Sequence, residues 1–362
     1  MEKHLVVMAG GIGSRFWPMS RPERPKQFID VLGVGRTLLQ LTVDRFGKDF
    51  APENTWVVTS AAYADMVAEQ LPDVPRENIL CEPCMRNTAP CIAYVAWKIF
   101  AKHPNASLVV TPADHFVVDQ EEFRRVVSEG LNFVCGTSNV LTLGMSPTRP
   151  DTGYGYIQSA HKASGNVLAV GAFKEKPVLE VAQKYLAEGG YFWNAGIFLW
   201  DVRTAVDAIR KFEPEVAELM DAMATSFYTS AEKDTVANLF PKCKNISIDY
   251  AVMERLAGHA ETLGGRESGV YVLPANFGWS DLGTWGSLHT QLSKDDGGNA
   301  VSGSGEVVFV ESHDCVVRAV GGKKMVLQGL EGYIVAEDNN TLLVCKKQDE
   351  QRIKQFSELL KK

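Results

Sequence analysis

The chain has 362 residues, 45% hydrophobic and 22% charged, which describes a globular protein long enough for one large domain and something smaller, since single cores stop growing at roughly 250 to 300 residues. Its formal net charge of −7 argues against a nucleic-acid groove, which needs Lys and Arg clustered on one face, so any phosphate binding has to be local. Seven cysteines scattered from Cys81 to Cys345 fit reduced thiols better than a disulfide framework, and the apolar run Leu5 to Ala9 is far too short for a membrane span, so a cytoplasmic address without a membrane partner follows by default.

Through the first half, short β-branched runs alternate with segments of helical period, the pattern of a parallel α/β sheet. Strands are expected at Leu5 to Met8, Thr55 to Thr59, Ser107 to Thr111 and Val140 to Gly144, with helices at Leu38 to Phe46, Ala61 to Leu71 and Ala89 to Lys102. Asp119 and Glu122 have the spacing of a capping box for a helix reaching about Phe133. The middle third reads as strands at Gly155 to Gln158 and Leu168 to Glu175, then helices at Val178 to Glu188, Arg203 to Lys211 and Pro214 to Thr225, expected over the open edge of the sheet. Ser247 caps a helix through Leu256, Gly269 to Pro274 returns as a strand and Gly278 to Trp285 is a loop. Beyond about Asp295 the texture turns to glycines and short β-branched runs at Val307 to Glu311, Cys315 to Val320, Lys324 to Leu327 and Leu342 to Lys346, closed by an amphipathic helix over Asp349 to Leu360 with Ile353, Phe356, Leu359 and Leu360 apolar.

The chemistry concentrates where the first strand ends. Gly10, Gly11 and Gly13 follow it directly, letting the backbone approach a ligand and present consecutive N–H groups to phosphate oxygens. Arg15, Arg21, Arg24 and Lys26 then place four cations within twelve residues of an acidic chain, which suits a polyanion such as a triphosphate. Neither familiar phosphate loop fits. No Lys-Ser/Thr follows the glycines at P-loop spacing, and Phe16 stands where a dinucleotide-binding turn wants its third glycine, with prolines from Pro18 to Pro25 preventing a helix from opening. Cys81 and Cys84 have metal-like spacing but no second ligand pair, and read as loop thiols.

The stretches Gly10-Gly11-Ile12-Gly13-Ser14-Arg15, Trp17-Pro18-Met19-Ser20-Arg21 and Pro25-Lys26-Gln27-Phe28 resemble the signature of the mannose-1-phosphate guanylyltransferases within the sugar nucleotidyltransferase superfamily. The resemblance continues in family order through Glu82 to Pro90, Thr111 to His115, Thr152 to Ile157, Phe173 to Pro177, Trp193 to Phe198, Ser247 to Glu254 and Gly278 to Trp285, covering residues 5 to about 290. It implies an α/β, Rossmann-like three-layer nucleotidyltransferase domain with a mixed, mostly parallel sheet over residues 1–290. A small C-terminal β-helix-like domain over residues 291–362 is similar to the tail that supports dimerisation in the family, implying a homodimer. Larger relatives add a downstream isomerase domain of the cupin type; with the chain ending at Lys362, no mannose-6-phosphate isomerase activity is expected.

The resemblance also implies roles. GTP and mannose 1-phosphate are the implied substrates, with Mg²⁺, or another divalent cation such as Mn²⁺, held by Asp114 and Asp281. Arg15 would meet the β- and γ-phosphates and Lys26 the reacting phosphates, with Gly10, Gly11, Gly13 and Ser14 around the nucleotide. Glu82, Asn87, Thr88 and Ala89 would read the base, a carboxylate at Glu82 accepting the paired donors of guanine. Gly153, Gly155, Glu175, Lys176 and Asn194 would hold the sugar phosphate. Plainer readings stand beside these: Asn87 and Thr88 as the cap of the following helix, Asp114 and Asp281 as loop aspartates, Lys176 as a surface lysine and Asn194 as a buried turn residue. A related transferase with another hexose or nucleotide is the alternative enzyme; a silent nucleotide-sugar-binding subunit is disfavoured by the presence of Arg15, Lys26, Asp114 and Asp281.

Overall fold

The computed structural model describes residues 2–338 and 340–360. By packing, the chain divides into two units, one of Met1–Gly10, Arg45–Pro112 and Val117–Trp279, the other of Gly11–Asp44, Ala113–Phe116 and Ser280–Lys362.

The first unit is built on a nine-stranded sheet in the spatial order Ile79–Glu82, Thr55–Ser60, Glu2–Ala9, Ala106–Pro112, Tyr191–Asp201, Val140–Met145, Val270–Ala275, Val167–Lys174 and Tyr156–Ser164. Tyr191–Asp201 and Val167–Lys174 run against the rest, so the sheet is mixed and mostly parallel. The central strands are apolar without alternation because both faces are covered: Leu5, Val6 and Val7 are all fully buried, as parallel strands between helical layers require. Val6, Leu108, Val110, Phe198 and Trp200 share a core with the helix Thr88–Lys102. On the opposite face Leu199 and Leu141 meet the helix Gln120–Val134 at Gly130, where a Cβ would lie 2.9 Å from Leu199. This is a three-layer Rossmann-like arrangement.

Three local expectations change. The sheet holds two strands that the sequence pattern did not reveal, the four-residue edge strand Ile79–Glu82 and the reversed strand Tyr191–Asp201 in its middle. The helices Val202–Phe212 and Pro214–Ala224 pack on Thr88–Lys102, over a face of the sheet and not over its open edge. Asp119 accepts from the Glu122 amide at 2.9 Å, but the Glu122 carboxylate turns to Arg125, so only half of the capping box forms.

In the second unit the C-terminal strands alternate between two stacks. Ala300–Ser302, Val316–Arg318 and Tyr333–Asp338 lie parallel in one, with Thr341–Lys346 added antiparallel at its edge; Glu306–Val310 and Lys324–Gln328 lie parallel in the other. A chain that visits two parallel stacks in turn is wound as a β-helical coil. Its core joins Val316, Ile334 and Ala336 to Phe16, Met19, Ile29 and Val31 of the basic segment, to Leu282 and Trp285, and to Ile353. The closing segment is a 3₁₀ stretch Lys347–Arg352 followed by the α-helix Ile353–Leu359; Ile353 is buried, whereas Leu359 and Leu360 are exposed. Among the described residues no helix is long and apolar enough to cross a membrane.

Candidate active site

In the first unit the candidate residues gather at strand ends, where open α/β sheets bind ligands. Gly10 follows the strand Glu2–Ala9, and a Cβ there would lie 3.8 Å from Glu82 Oε2, so glycine turn and carboxylate are neighbours. Glu82 ends the edge strand and is buried, and its Oε1 has no hydrogen-bond partner among the described residues. Burial pushes its carboxyl up to about 7, against a smaller opposing contribution from the Cys91 thiol. Asn87, with φ of 67°, caps the following helix by accepting from the Thr88 amide at 2.8 Å. The Thr88 hydroxyl accepts from the Ile248 amide at 2.8 Å, and the Ala89 amide donates to the Ile246 carbonyl at 3.1 Å. Thr88 and Ala89 thus join the base of the helix to the segment 246–248 while Asn87 caps it, whereas Glu82 keeps an acceptor unused.

The other group in this unit surrounds Gly155. A Cβ at Gly155 would come within 2.7 Å of Glu175 Oε2 and 3.6 Å of Asn194 Cβ, so Gly155 adjoins both side chains and a larger residue would push the Glu175 carboxylate aside. The Asn194 amide nitrogen of the backbone donates to the Gly155 carbonyl at 2.8 Å, while its side chain donates to Asp249 at 2.8 Å and accepts from the Gly196 amide at 3.0 Å. Lys176, at φ 40°, pairs with Glu175 at 2.6 Å and its ammonium is largely exposed. Gly153 donates to Asp151, which also pairs with Arg149 at 2.7 Å; the Arg149 guanidinium lies over the Trp193 ring.

Asp249 and Arg149 were not singled out from sequence. Asp249 opens a π-helical turn, Asp249–Met253, a geometry often found at functional sites and invisible to residue patterns. Burial and then the neighbouring Glu175 push its carboxyl up to about 6. The signal that could have found it was its place inside the quoted Ser247 to Glu254 stretch.

The second unit holds the basic segment and both aspartates. Gly13 has φ of 70°, and a Cβ there would sit 2.6 Å from Lys26 Cβ, so this position is closed to any other residue. The loop folds back on Lys26: the Lys26 amide donates to the Ile12 carbonyl at 3.2 Å and the Ser20 hydroxyl donates to that same oxygen. Gly11 and Arg15 are exposed, and no partner for the Arg15 guanidinium is found among the described residues. Ser14 opens the 3₁₀ turn Ser14–Phe16. Arg21, grouped with the phosphate-seeking cations on sequence grounds, is instead consumed internally, donating to the Pro18 carbonyl at 3.0 Å and the Asp338 carbonyl at 2.8 Å.

Lys26 is the centre of this cluster. Its ammonium is buried and meets Asp114 Oδ2 at 2.9 Å and the carbonyls of Asp281 and Leu282 at 3.0 and 2.8 Å. Burial alone would raise the Asp114 carboxyl, but the Lys26 ammonium and His115 outweigh it and hold it below the usual range. Asp281 accepts from the Gly283 amide at 3.0 Å, and a Cβ at Gly283 would come within 2.7 Å of Asp281 Oδ2 and displace that carboxylate. Asp114 and Asp281, distant in sequence, therefore stand on the same nitrogen. Three oxygens gathered on one cation are also the donor type that a hard divalent ion requires.

A second metal-like cluster, Glu2, His4 and His103, does not fit an ion as well. His4 Nδ1 accepts from the Trp56 indole N–H at 2.9 Å, which puts the proton of the neutral ring on Nε2, the atom that would have to ligate.

Comparison with known proteins accords with this geometry. Residues 4–296 match the family described as nucleotidyl transferase, and residues 305–360 match the mannose-phosphate isomerase/GMP-like β-helix domain. The mannose-1-phosphate guanylyltransferase of Escherichia coli K12 is 34% identical over 360 residues, covering 96% of this chain and 72% of that protein. The alginate biosynthesis protein AlgA of Pseudomonas aeruginosa is 33% identical over 357 residues, covering 96% and 70%. A crystal structure from Thermus thermophilus, titled as a mannose-1-phosphate geranyltransferase, superimposes with a TM-score of 0.87 at 30% identity, covering both chains fully. A glycine turn that packs on a buried lysine, two aspartates on that lysine and a match over most of the chain lead to one assignment: the chain belongs to the nucleotidyl transferase family.

Proposed function

We propose that this protein transfers the guanylyl group of GTP to α-D-mannose 1-phosphate, giving GDP-mannose and pyrophosphate. The observation that carries the reading is the cluster of Lys26, Asp114 and the Asp281 loop, in the unit that also holds the exposed Arg15. Nucleotidyl transfer needs charge neutralisation and in-line positioning more than a protein nucleophile. A phosphate oxygen of mannose 1-phosphate attacks the α-phosphorus, the bond to the bridging oxygen breaks, and pyrophosphate leaves with its electron pair. Arg15 receives the charge on the departing β- and γ-phosphates, and Gly10, Gly11, Gly13 and Ser14 supply backbone donors. Lys26 exchanges part of its carbonyl shell for the reacting phosphates. Asp114 and Asp281 would hold a divalent ion, Mg²⁺ or Mn²⁺, which when bound neutralises triphosphate charge.

Glu82 is assigned to guanine, whose N1–H and 2-amino group form a donor pair matched by one carboxylate, with Asn87, Thr88 and Ala89 as the wall beside it. Glu175, Lys176, Asn194, Gly153 and Gly155 are assigned to the sugar phosphate. Exposed Val308, Val310 and Val326 on the coil support a homodimer formed through that face, and a cytoplasmic enzyme is the reading adopted. The test is pyrophosphate release by the purified protein with each nucleoside triphosphate and with mannose or glucose 1-phosphate. Turnover with GTP and mannose 1-phosphate is expected; strong turnover with UTP and none with GTP would overturn the assignment.

A further inference from the structure

The C-terminal coil touches the basic segment on both sides of Lys26. Before it, Arg21 spreads its guanidinium between two partners of the coil, the Asp338 carbonyl at 2.8 Å and the Thr341 hydroxyl at 3.2 Å, while its Nε donates to Pro18 within its own turn. The Arg21 and Arg24 backbones also bond each other in both directions, at 3.1 and 3.0 Å, so the turn that leads into Lys26 is stiff. After it, buried Arg318 donates to the Asp30 carbonyl at 3.1 Å and to the Ser302 hydroxyl at 2.8 Å, and that hydroxyl donates to the Val31 carbonyl at 2.7 Å. A third tie reaches the aspartate loop: Glu350 accepts from the Gly286 amide at 2.7 Å, just past the Asp281 turn.

The coil thus fixes the basic segment before and after Lys26, and the closing segment that follows the coil fixes the loop whose carbonyls Lys26 holds. We infer that Arg21 and Arg318 are positioning residues for nucleotidyl transfer, through which the C-terminal coil sets the place of Lys26 and Arg15. Arg21 serves by geometry and not by charge. Its planar fork reaches the Pro18 carbonyl through Nε and both coil acceptors through Nη2 at once, which the single point charge of a lysine does not reproduce. Positioning errors near 1 Å at reacting groups cost on the order of a hundredfold in rate, so loosening this lock is read mainly in kcat.

The inference rests on the proposed guanylyl transfer, and its test separates the two. In the full-length protein, Thr341→Val removes an acceptor without touching any phosphate-binding group, and Arg21→Lys keeps the charge but loses the fork. Expected are a roughly threefold fall in kcat for Thr341→Val and a tenfold or larger fall for Arg21→Lys, with KM for mannose 1-phosphate nearly unchanged and the double variant no worse than Arg21→Lys. Hydrogen exchange of amides 11–28 is expected to accelerate in folded Thr341→Val, an outcome that does not depend on which substrates the enzyme takes. Wild-type kcat in Arg21→Lys together with unchanged exchange in Thr341→Val would overturn the lock. A raised KM for GTP in Arg21→Ala that Arg21→Lys restores would instead make Arg21 a phosphate ligand. Absence of turnover in the wild type would remove the functional reading and leave the exchange result to decide the lock.

Discussion

At the scale of the residue, the base-binding role proposed for Glu82 would link pH to nucleotide affinity. Burial places its carboxyl at about 7, and guanine's two donors need the ionised form. The ionised fraction rises about tenfold between pH 6 and pH 8, so the apparent KM for GTP is expected to fall about tenfold over that range. Glu82→Gln, which offers one acceptor and one clashing donor, raises KM at least tenfold and abolishes the pH step; a wild-type KM that ignores pH would remove Glu82 from the base site. Stability moves the other way. A carboxyl raised above its unfolded value of 4.5 contributes stability that is complete below 4.5 and lost as pH rises through 7. Glu82→Gln is therefore expected to gain melting temperature relative to wild type at pH 8 and not at pH 5. Gly13 makes a different demand. Its φ of 70° and the 2.6 Å approach of a Cβ to Lys26 Cβ predict that Gly13→Ala shifts Lys26 and lowers kcat by about a hundredfold; near-normal turnover would show that the loop yields. The sequence made Gly13 and Lys26 legible as types in a pattern. It could not show that Arg21 faces the coil, because four cations in twelve residues look alike until their partners are known.

Elements were legible where burial imposes a period. The helix Thr88–Lys102 and the strand Glu2–Ala9 follow their patterns to within a few residues, because one is packed on nearly every side and the other on both faces. The strand Tyr191–Asp201 escaped because Gly196 at φ 65° interrupts it and its register shifts against Val140–Met145, so its apolar residues fall into two short runs, Tyr191 to Trp193 and Ile197 to Trp200, without alternation. Helix contacts supply a prediction at this scale. Lys98, on Thr88–Lys102, is buried with its ammonium paired to Glu232 and lying over the Tyr228 ring at 4.0 Å. Burial lowers its affinity for a proton and Glu232 opposes that effect, so each charge depends on the other. Lys98→Met leaves a mostly buried carboxylate without its counter-charge, held only by the Tyr228 amide and the Tyr94 hydroxyl, and is expected to cost about 3 kcal/mol in urea unfolding, at least half of it regained in Lys98→Met/Glu232→Leu. The exposed Arg125 pairs with Glu122 and Glu129 serve as the contrast, since Arg125→Ala is expected to move stability by no more than about 0.5 kcal/mol. Equal losses at the two sites would mean that burial does not govern the Lys98 pair.

For the molecule as a whole, the order of residues along the chain is a poor guide to which parts pack together. The basic segment Gly11–Asp44, the four residues around Asp114 and the coil form one packing unit although nearly seventy residues separate the first two and more than 160 the last two. A reading by sequence order draws its boundary at residue 290; packing assigns Lys26, Asp114 and Asp281 to the unit that contains the coil. The coil itself was legible as short strands spaced by glycines, but its winding depended on Ala300–Ser302 and Tyr333–Asp338, the first too short and the second too evenly buried to stand out. The outer face of its smaller stack is apolar without cover. Val308 and Val326 are aligned across the pair and are 47% and 70% exposed, with Val310 beside them and the Glu306–Lys324 ion pair at the margin. In the homodimer proposed above, a second copy would meet this face with the same valines and oppositely charged ends across a two-fold axis. Val308→Lys/Val326→Lys is expected to shift sedimentation equilibrium from dimer toward monomer. Its melting temperature at low concentration should change little, because both side chains project to solvent within one chain. A wild-type protein that sediments as a monomer at high concentration, or a double variant that remains dimeric, would show that this face is not where two copies meet.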